Sequence, residues 1–295
     1  MPDIQMRFHG DMLVLSGSLR NTLARGGYDV EQGIEQLDLF EEEAVEQALR
    51  MQMAAGPQCL CTPTLAITQA QLAHERMRDR QQEVVNAALA LCGKFRPQHL
   101  LAQIGPTRLP LDASSAASLV ANRDQYAQAV GAFGDGGVDG FFFDGLLSVD
   151  DVRCALMGAR KMTAAAVMVS VNVDEEGNLE GRRSPVEEMV AVACDLQADV
   201  VGVRSGAAPE TIAHIVERIA DTCDLPILVQ LAVPEENRRT LLDASDAPYW
   251  HPDAMIAAAG RLRAAGAQFL RAVGEASASY TGALAAATAG LPAVR

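Results

Sequence analysis

The chain has 295 residues, 49% of them apolar and 21% charged, with a formal net charge of −14. That length suits one α/β barrel, which needs about 250 residues, and it is long enough to bury a full core. So acidic a chain repels polyanions, which makes nucleic acid and anionic membrane poor partners, and no stretch approaches the roughly 20 apolar residues of a membrane span.

The start, Met1 to Gly10, carries Asp3, Arg7 and His9 and does not read as a signal peptide. Short apolar runs then alternate with helical patterns. Met12 to Leu15 reads as a strand and Glu41 to Ala55 as a helix. Gln58 to Thr62 is strand and Gln69 to Cys92 helix. His99 to Ile104 is strand and Ser115 to Gly134 helix. Val138 to Phe143 is strand and Val149 to Lys161 helix. Ala166 to Val173 is strand and Pro185 to Leu196 helix. Val200 to Val203 is strand and Pro209 to Thr222 helix. Ile227 to Leu231 is strand and Pro252 to Ala265 helix. Gln268 to Val273 is strand and Ser277 to Ala289 a last helix. The strands are unbroken apolar runs, as strands covered on both faces should be. Three helix starts carry capping signals: Thr68-Gln69-Ala70-Gln71, Ser148-Val149-Asp150-Asp151 and Ser184-Pro185-Val186-Glu187.

Eight βα units predict a (β/α)₈ TIM barrel, one domain spanning residues 1–295. The first βα turn, Ser16-Gly17-Ser18-Leu19-Arg20, is not the glycine-rich fingerprint of a dinucleotide fold. In a barrel the loops after the strands form the active face, so candidates are sought there. His74 and His214 fall in helical patterns and read as surface residues. Six cysteines (Cys59, Cys61, Cys92, Cys154, Cys194 and Cys223) form no secreted-type disulfide framework, which points to reduced thiols and a cytoplasmic protein.

The strand ends carry a resemblance. Leu13-Val14-Leu15-Ser16-Gly17-Ser18-Leu19, Ala55-Gly56 through Thr62-Pro63-Thr64 and Thr68, and Ile104-Gly105-Pro106 stand in order. Gly136-Gly137-Val138-Asp139 leading to Asp144, Val169-Ser170-Val171 with Asp174-Glu175-Glu176-Gly177, and Val201-Gly202-Val203 follow. Together they resemble the homocysteine S-methyltransferase family, including the homocysteine-binding module of cobalamin-dependent methionine synthase. The resemblance implies a TIM barrel of methionine metabolism that transfers a methyl group to a small thiol. It also implies a zinc ion held by three cysteines, one ending the sixth strand and an adjacent pair after the eighth. Zinc would lower the pKa of the substrate thiol and present a thiolate. A corrinoid or folate-binding protein is the kind of partner it suggests, beside a small-molecule ligand.

This sequence departs from that pattern where the metal should bind. Arg204-Ser205 stands where the family has Asn-Cys, and Val273-Gly274 where it has the cysteine pair; no cysteine follows Cys223. Ser16 replaces the first-strand Asp, Pro63 the Asn after strand two, and Asp144 the Glu after strand four. No metal ligand set is therefore expected, and the zinc-thiolate mechanism does not carry over. The expected ligand pocket is lined by Ser16, Asp144, Arg204, Ser205, Gln230 and Arg271.

Several features admit two readings. Cys59, Cys61 and Pro63 share a strand face, so the two thiols are either soft-metal ligands or apolar fillers of a barrel layer. Arg204 and Arg271 either receive an anionic ligand or pair internally with Asp144 or Glu275. Arg182-Arg183 is either an anion site or a solvated loop. Tyr249-Trp250-His251 is either a lid or a packed corner. Two functions follow: a methyltransferase-like barrel working without the standard zinc, or a non-catalytic binding or partner subunit whose mouth is closed by Arg–acid pairs and Val273.

Overall fold

The computed structural model describes residues 3–31, 33–134, 137–181, 183–234 and 248–295. Eight strands alternate with helices: β1 Leu13–Val14, β2 Cys59–Cys61, β3 His99–Ile104, β4 Gly140–Leu146, β5 Ala166–Asn172, β6 Val200–Ser205, β7 Ile227–Val233 and β8 Ala267–Gly274. All neighbours pair in parallel, β1 pairs β8, and a parallel bridge between Leu15 and Cys59 closes the ring between β1 and β2. This is the (β/α)₈ barrel that the alternation of runs predicts.

Strand side chains alternate between two layers. Leu13, Leu15, Leu101, Phe142, Met168, Val200, Leu228 and Phe269 fill the barrel interior. Val14, Ala102, Phe143, Val169, Val201, Val229 and Leu270 pack outward with the helices. Both layers are buried, which is why the strands read as continuous apolar runs. Ile4 and Phe8 plug the interior from below, and the Phe8 ring meets Phe269 edge-on at 5.9 Å.

The helices are α1 Arg20–Arg25, α2 Leu37–Phe40, α3 Glu42–Ala54, α4 Gln69–His74, α5 Gln81–Gly93, α6 Ala116–Phe133, α7 Val149–Met162, α8 Val186–Asp195, α9 Pro209–Thr222, α10 Ala254–Ala265 and α11 Ala278–Thr288. Thr68 and Ser148 cap α4 and α7 as their motifs predict, accepting the Gln71 and Asp151 amides. Two expectations change. The pattern from Gln69 to Cys92 is two helices, because Arg76 adopts φ 58° and a left-handed residue stops the helix. Pro185, not Ser184, caps α8, and no side chain makes the cap bond. The Ser184 carbonyl instead accepts the Leu179 amide at 2.8 Å, in a local antiparallel pairing of Asn178 with Pro185. The short helices α1 and α2, after β1, had no legible signal.

Candidate site at the barrel mouth

Beneath the mouth the inward faces of five strands turn polar, and their side chains form one network. Arg271 on β8 is almost fully buried, with 1% of its surface exposed. Its Nη1 donates to Asp144 Oδ2 at 2.8 Å and to Gln230 Oε1 at 3.2 Å. Nη2 donates to Gln103 Oε1 at 3.3 Å and Nε to the Ser16 carbonyl at 2.8 Å. The guanidinium lies 5.4 Å from the Phe142 ring centroid, so an apolar ring supports it from the layer that fills the barrel.

Asp144 on β4 is satisfied just as fully. Gln230 Nε2 and the Ser170 hydroxyl donate to Oδ1 at 2.7 and 3.1 Å, and Gln103 Nε2 and Arg271 donate to Oδ2 at 2.7 and 2.8 Å. A carboxylate offers about four acceptor positions, and all are used. Burial raises the proton affinity of Asp144. The attraction of Arg271, the Gln230 bond, the charge of Arg204 and the Gln103 bond outweigh it, so the carboxyl titrates below its ordinary value. Asp144 is thus an anion with its counter-cation built in.

The structure places the six expected pocket residues unevenly. Ser16, Asp144, Gln230 and Arg271 meet in this network, Ser16 through its carbonyl. The Ser16 hydroxyl accepts the Cys61 amide at 3.0 Å. Arg204 is half-buried on the inward parity of β6 and pulls electrostatically on Asp144. Ser205 has the opposite parity, that of Val201 and Val203 in the helix-facing layer, and its hydroxyl accepts the Ala207 amide at 3.2 Å. Sequence reasoning missed Gln103 and Ser170. Their signal was present: each is a polar residue at inward parity within an apolar strand. Thr62 and Thr64, on the loop after β2, hold Gln103 from behind. The Thr62 hydroxyl accepts its amide at 3.0 Å and the Thr64 hydroxyl donates to its carbonyl at 2.8 Å.

Cys59 and Cys61 point into the barrel among Leu101, Phe142 and Met168, and burial raises the pKa of both thiols. Among the described residues no group of three His, Cys, Asp or Glu side chains could hold a metal ion. Tyr249 is fully buried with its hydroxyl on the Ala207 carbonyl at 2.8 Å, and the Tyr280 hydroxyl donates to the Trp250 carbonyl at 3.0 Å. That segment is a packed corner. Arg183 is exposed, while Arg182 lies outside the described residues. His74 and His214 are surface residues, as expected.

Beside the network, on the β1–β3 side of the mouth, lies a cavity of about 100 Å³. Ser18, Arg20, Thr62, Gln71, Gln103 and Arg108 contribute to its wall; none of the six expected residues does. It is small against the roughly 300–1,000 Å³ of typical ligand pockets. Glu35 closes one side. Its Oε1 accepts the Ala66 amide and its Oε2 the Ile34 amide at 2.9 Å, so it ties the loop after β1 to the loop after β2. A Cβ on Gly33 would lie 2.4 Å from both Glu35 Oε2 and Glu75 Oε1, so a larger residue there would push these carboxylates aside. Burial first, then Glu75, pushes Glu35 up to about 7, against the pull of its backbone bonds. Asp38, also buried, is raised by burial and by Glu35 and Glu75, and its oxygens have no hydrogen-bond partner among the described residues.

Against known proteins, residues 13–274 match the family model for homocysteine S-methyltransferase. The chain belongs to the homocysteine S-methyltransferase family. No curated protein matches it. Among solved structures it is similar to the homocysteine methyltransferase MmuM from Escherichia coli. The oxidized form gives a TM-score of 0.74 at 17% identity, and the metallated form 0.71 at 16%; each comparison covers 94% of this chain and 96% of the other. The carboxyl transferase domain of Rhizobium etli pyruvate carboxylase with 3-bromopyruvate matches more distantly, with a TM-score of 0.50 at 13% identity over 89% of this chain and 40% of the other. At such identities these likenesses speak for the fold.

The residues present do not fit the zinc expected of the family. Val273 and Gly274 offer no donor, and the Ser205 hydroxyl faces away from the barrel axis. One layer beneath Val273 the guanidinium of Arg271 already neutralises Asp144, and its charge repels a second cation.

Proposed function

We propose that this chain is a homocysteine S-methyltransferase-family barrel that has given up zinc-thiolate methyl transfer and works as a binding or partner subunit. The observation that carries the reading is the saturated Arg271–Asp144 network. It occupies the floor of the mouth and, among the described residues, leaves no group on that floor able to activate a thiol. Membership in the family supports a small molecule, a thiol or a related compound, as the ligand. In this reading Ser16, Asp144, Gln230 and Arg271 shape the floor, Arg204 is the member that meets the ligand, and Ser205 has no ligand contact. A corrinoid or folate-binding protein is the partner the reading suggests.

One observation favours methyl transfer by another route. Gln103 belongs both to the network and to the wall of the open cavity, so a molecule seated there would touch a polarised amide.

Zinc content per chain, measured by mass spectrometry after purification under reducing, chelator-free conditions, is expected to fall well below one. A thermal-shift panel of homocysteine, methionine, S-adenosylmethionine and folates then separates the readings. Stabilisation by one of them without turnover supports the binding role, because a ligand of the native state alone must raise stability. Methyl transfer by metal-free protein would sink it. One tightly held zinc per chain would show the ligand reading to be wrong.

A further inference from the structure

Two cysteines lie outside the core. Cys59, Cys61, Cys92 and Cys154 are buried, whereas Cys194 is exposed and Cys223 half-buried. Topology brings this second pair together. Cys194 sits in the last turn of α8 and Cys223 is the residue that ends α9. The two helices pack side by side and lead into β6 and β7, which pair in register at Val201 and Ile227. Their C-terminal ends therefore emerge together on the face opposite the mouth. Cys223 lies near enough to Cys194 there to favour the protonated form of its thiol. The Cys223 backbone is held by the hydrogen bond that its N–H donates to the Ile219 carbonyl and by Arg295, whose guanidinium donates to the Cys223 carbonyl.

We propose that Cys194 and Cys223 form a reversible dithiol–disulfide site that staples α8 to α9 when the protein meets a low-molecular-weight disulfide. The exposed Cys194 thiolate attacks one sulfur of the small disulfide, forming a mixed disulfide and releasing one small thiol. The Cys223 sulfur, as thiolate, then attacks the Cys194 sulfur and expels the second small thiol. Two protein thiols are oxidised, one small disulfide is reduced to two thiols, and the two protons pass to the leaving sulfurs. The surroundings set the pace. Burial, Cys223 and the carboxylates of Asp195 and Asp224 push Cys194 up to about 11, so little thiolate exists at neutral pH. The first step should accelerate roughly tenfold per pH unit through the mildly alkaline range.

The test uses the native chain incubated with oxidised glutathione at pH 7 to 9. Intact mass and a non-reducing peptide map are the readouts. The expected product has lost two hydrogen atoms per chain and yields one linked peptide, Cys194 to Cys223, forming faster at higher pH. Cys223→Ser should stop at a glutathione adduct on Cys194. Since both residues lie at the surface, circular dichroism should show each serine variant folded. A wild-type chain that stops at the Cys194 adduct, links either cysteine elsewhere, or stays unmodified at pH 9 overturns the proposal.

Discussion

Asp144 and Glu35 are both carboxylates buried near the mouth, and their environments push them in opposite directions. Asp144 has Arg271 at 2.8 Å and titrates below its ordinary value. Glu35 has two backbone amides but faces Glu75 rather than a cation, and it rises to about 7. Burial works against the charge in both; a neighbouring cation decides the outcome. The floor of the mouth is therefore a fixed ion pair, and the rim a cluster of acids whose burial favours their protonated forms.

The sharpest way to break the comparison is to remove the cation. Arg271→Met leaves Asp144 buried without its partner and should cost about 3–5 kcal/mol in chemical denaturation. Adding Asp144→Asn should restore much of that loss; a double variant as unstable as the single one would mean that Asp144 does not depend on Arg271.

Next in size is pH. The raised Glu35 stabilises the fold fully below the ordinary glutamate value of 4.5, and that stability is lost as pH rises through about 7. The loss should reach up to about 3 kcal/mol. Asp144 has the opposite sign: its contribution is present above its ordinary value of 3.8 and disappears as pH falls through its lowered one. Thermal midpoints measured from pH 3 to 8 should show both flanks. Glu35→Gln should flatten the neutral flank alone; an unchanged slope there would assign it to another acid.

Ser170→Ala removes one donor to Asp144 and one acceptor for Gln230 and should cost about 1–2 kcal/mol. An effect near zero would mean that the network repacks around the loss. The smallest effect belongs to Arg204→Gln. Its stability change should stay within about 0.5 kcal/mol, while the acid flank shifts to higher pH as Asp144 loses a favourable charge. A large loss of stability would place Arg204 inside the network.

Much of the fold was legible because both faces of each strand are covered, which writes each strand as an apolar run. The break at Arg76 was not legible, since a left-handed residue leaves no mark on helical periodicity. At the mouth, Ser16 and Asp144 could be named because they stand at strand ends where the family's pattern fails, Gln230 because it stands near the end of its strand, and Arg271 because it shares a strand face with Val273. Gln103 and Ser170 lie within apolar strands, where inward parity marks them but only barrel closure shows which polar side chains they meet. Ser205 failed by parity: one residue along a strand turns a side chain from the axis to the helices.

By itself the sequence determined the barrel and the family, because periodicity and the order of motifs are properties of residues in sequence. Only the tertiary structure decided that Arg271 pairs with Asp144, that Glu35 meets Glu75 at Gly33, and that Cys194 meets Cys223. The first pair stands 127 residues apart in the chain. Charge balance in a buried site depends on neighbours in space, and only closure of the barrel chooses them.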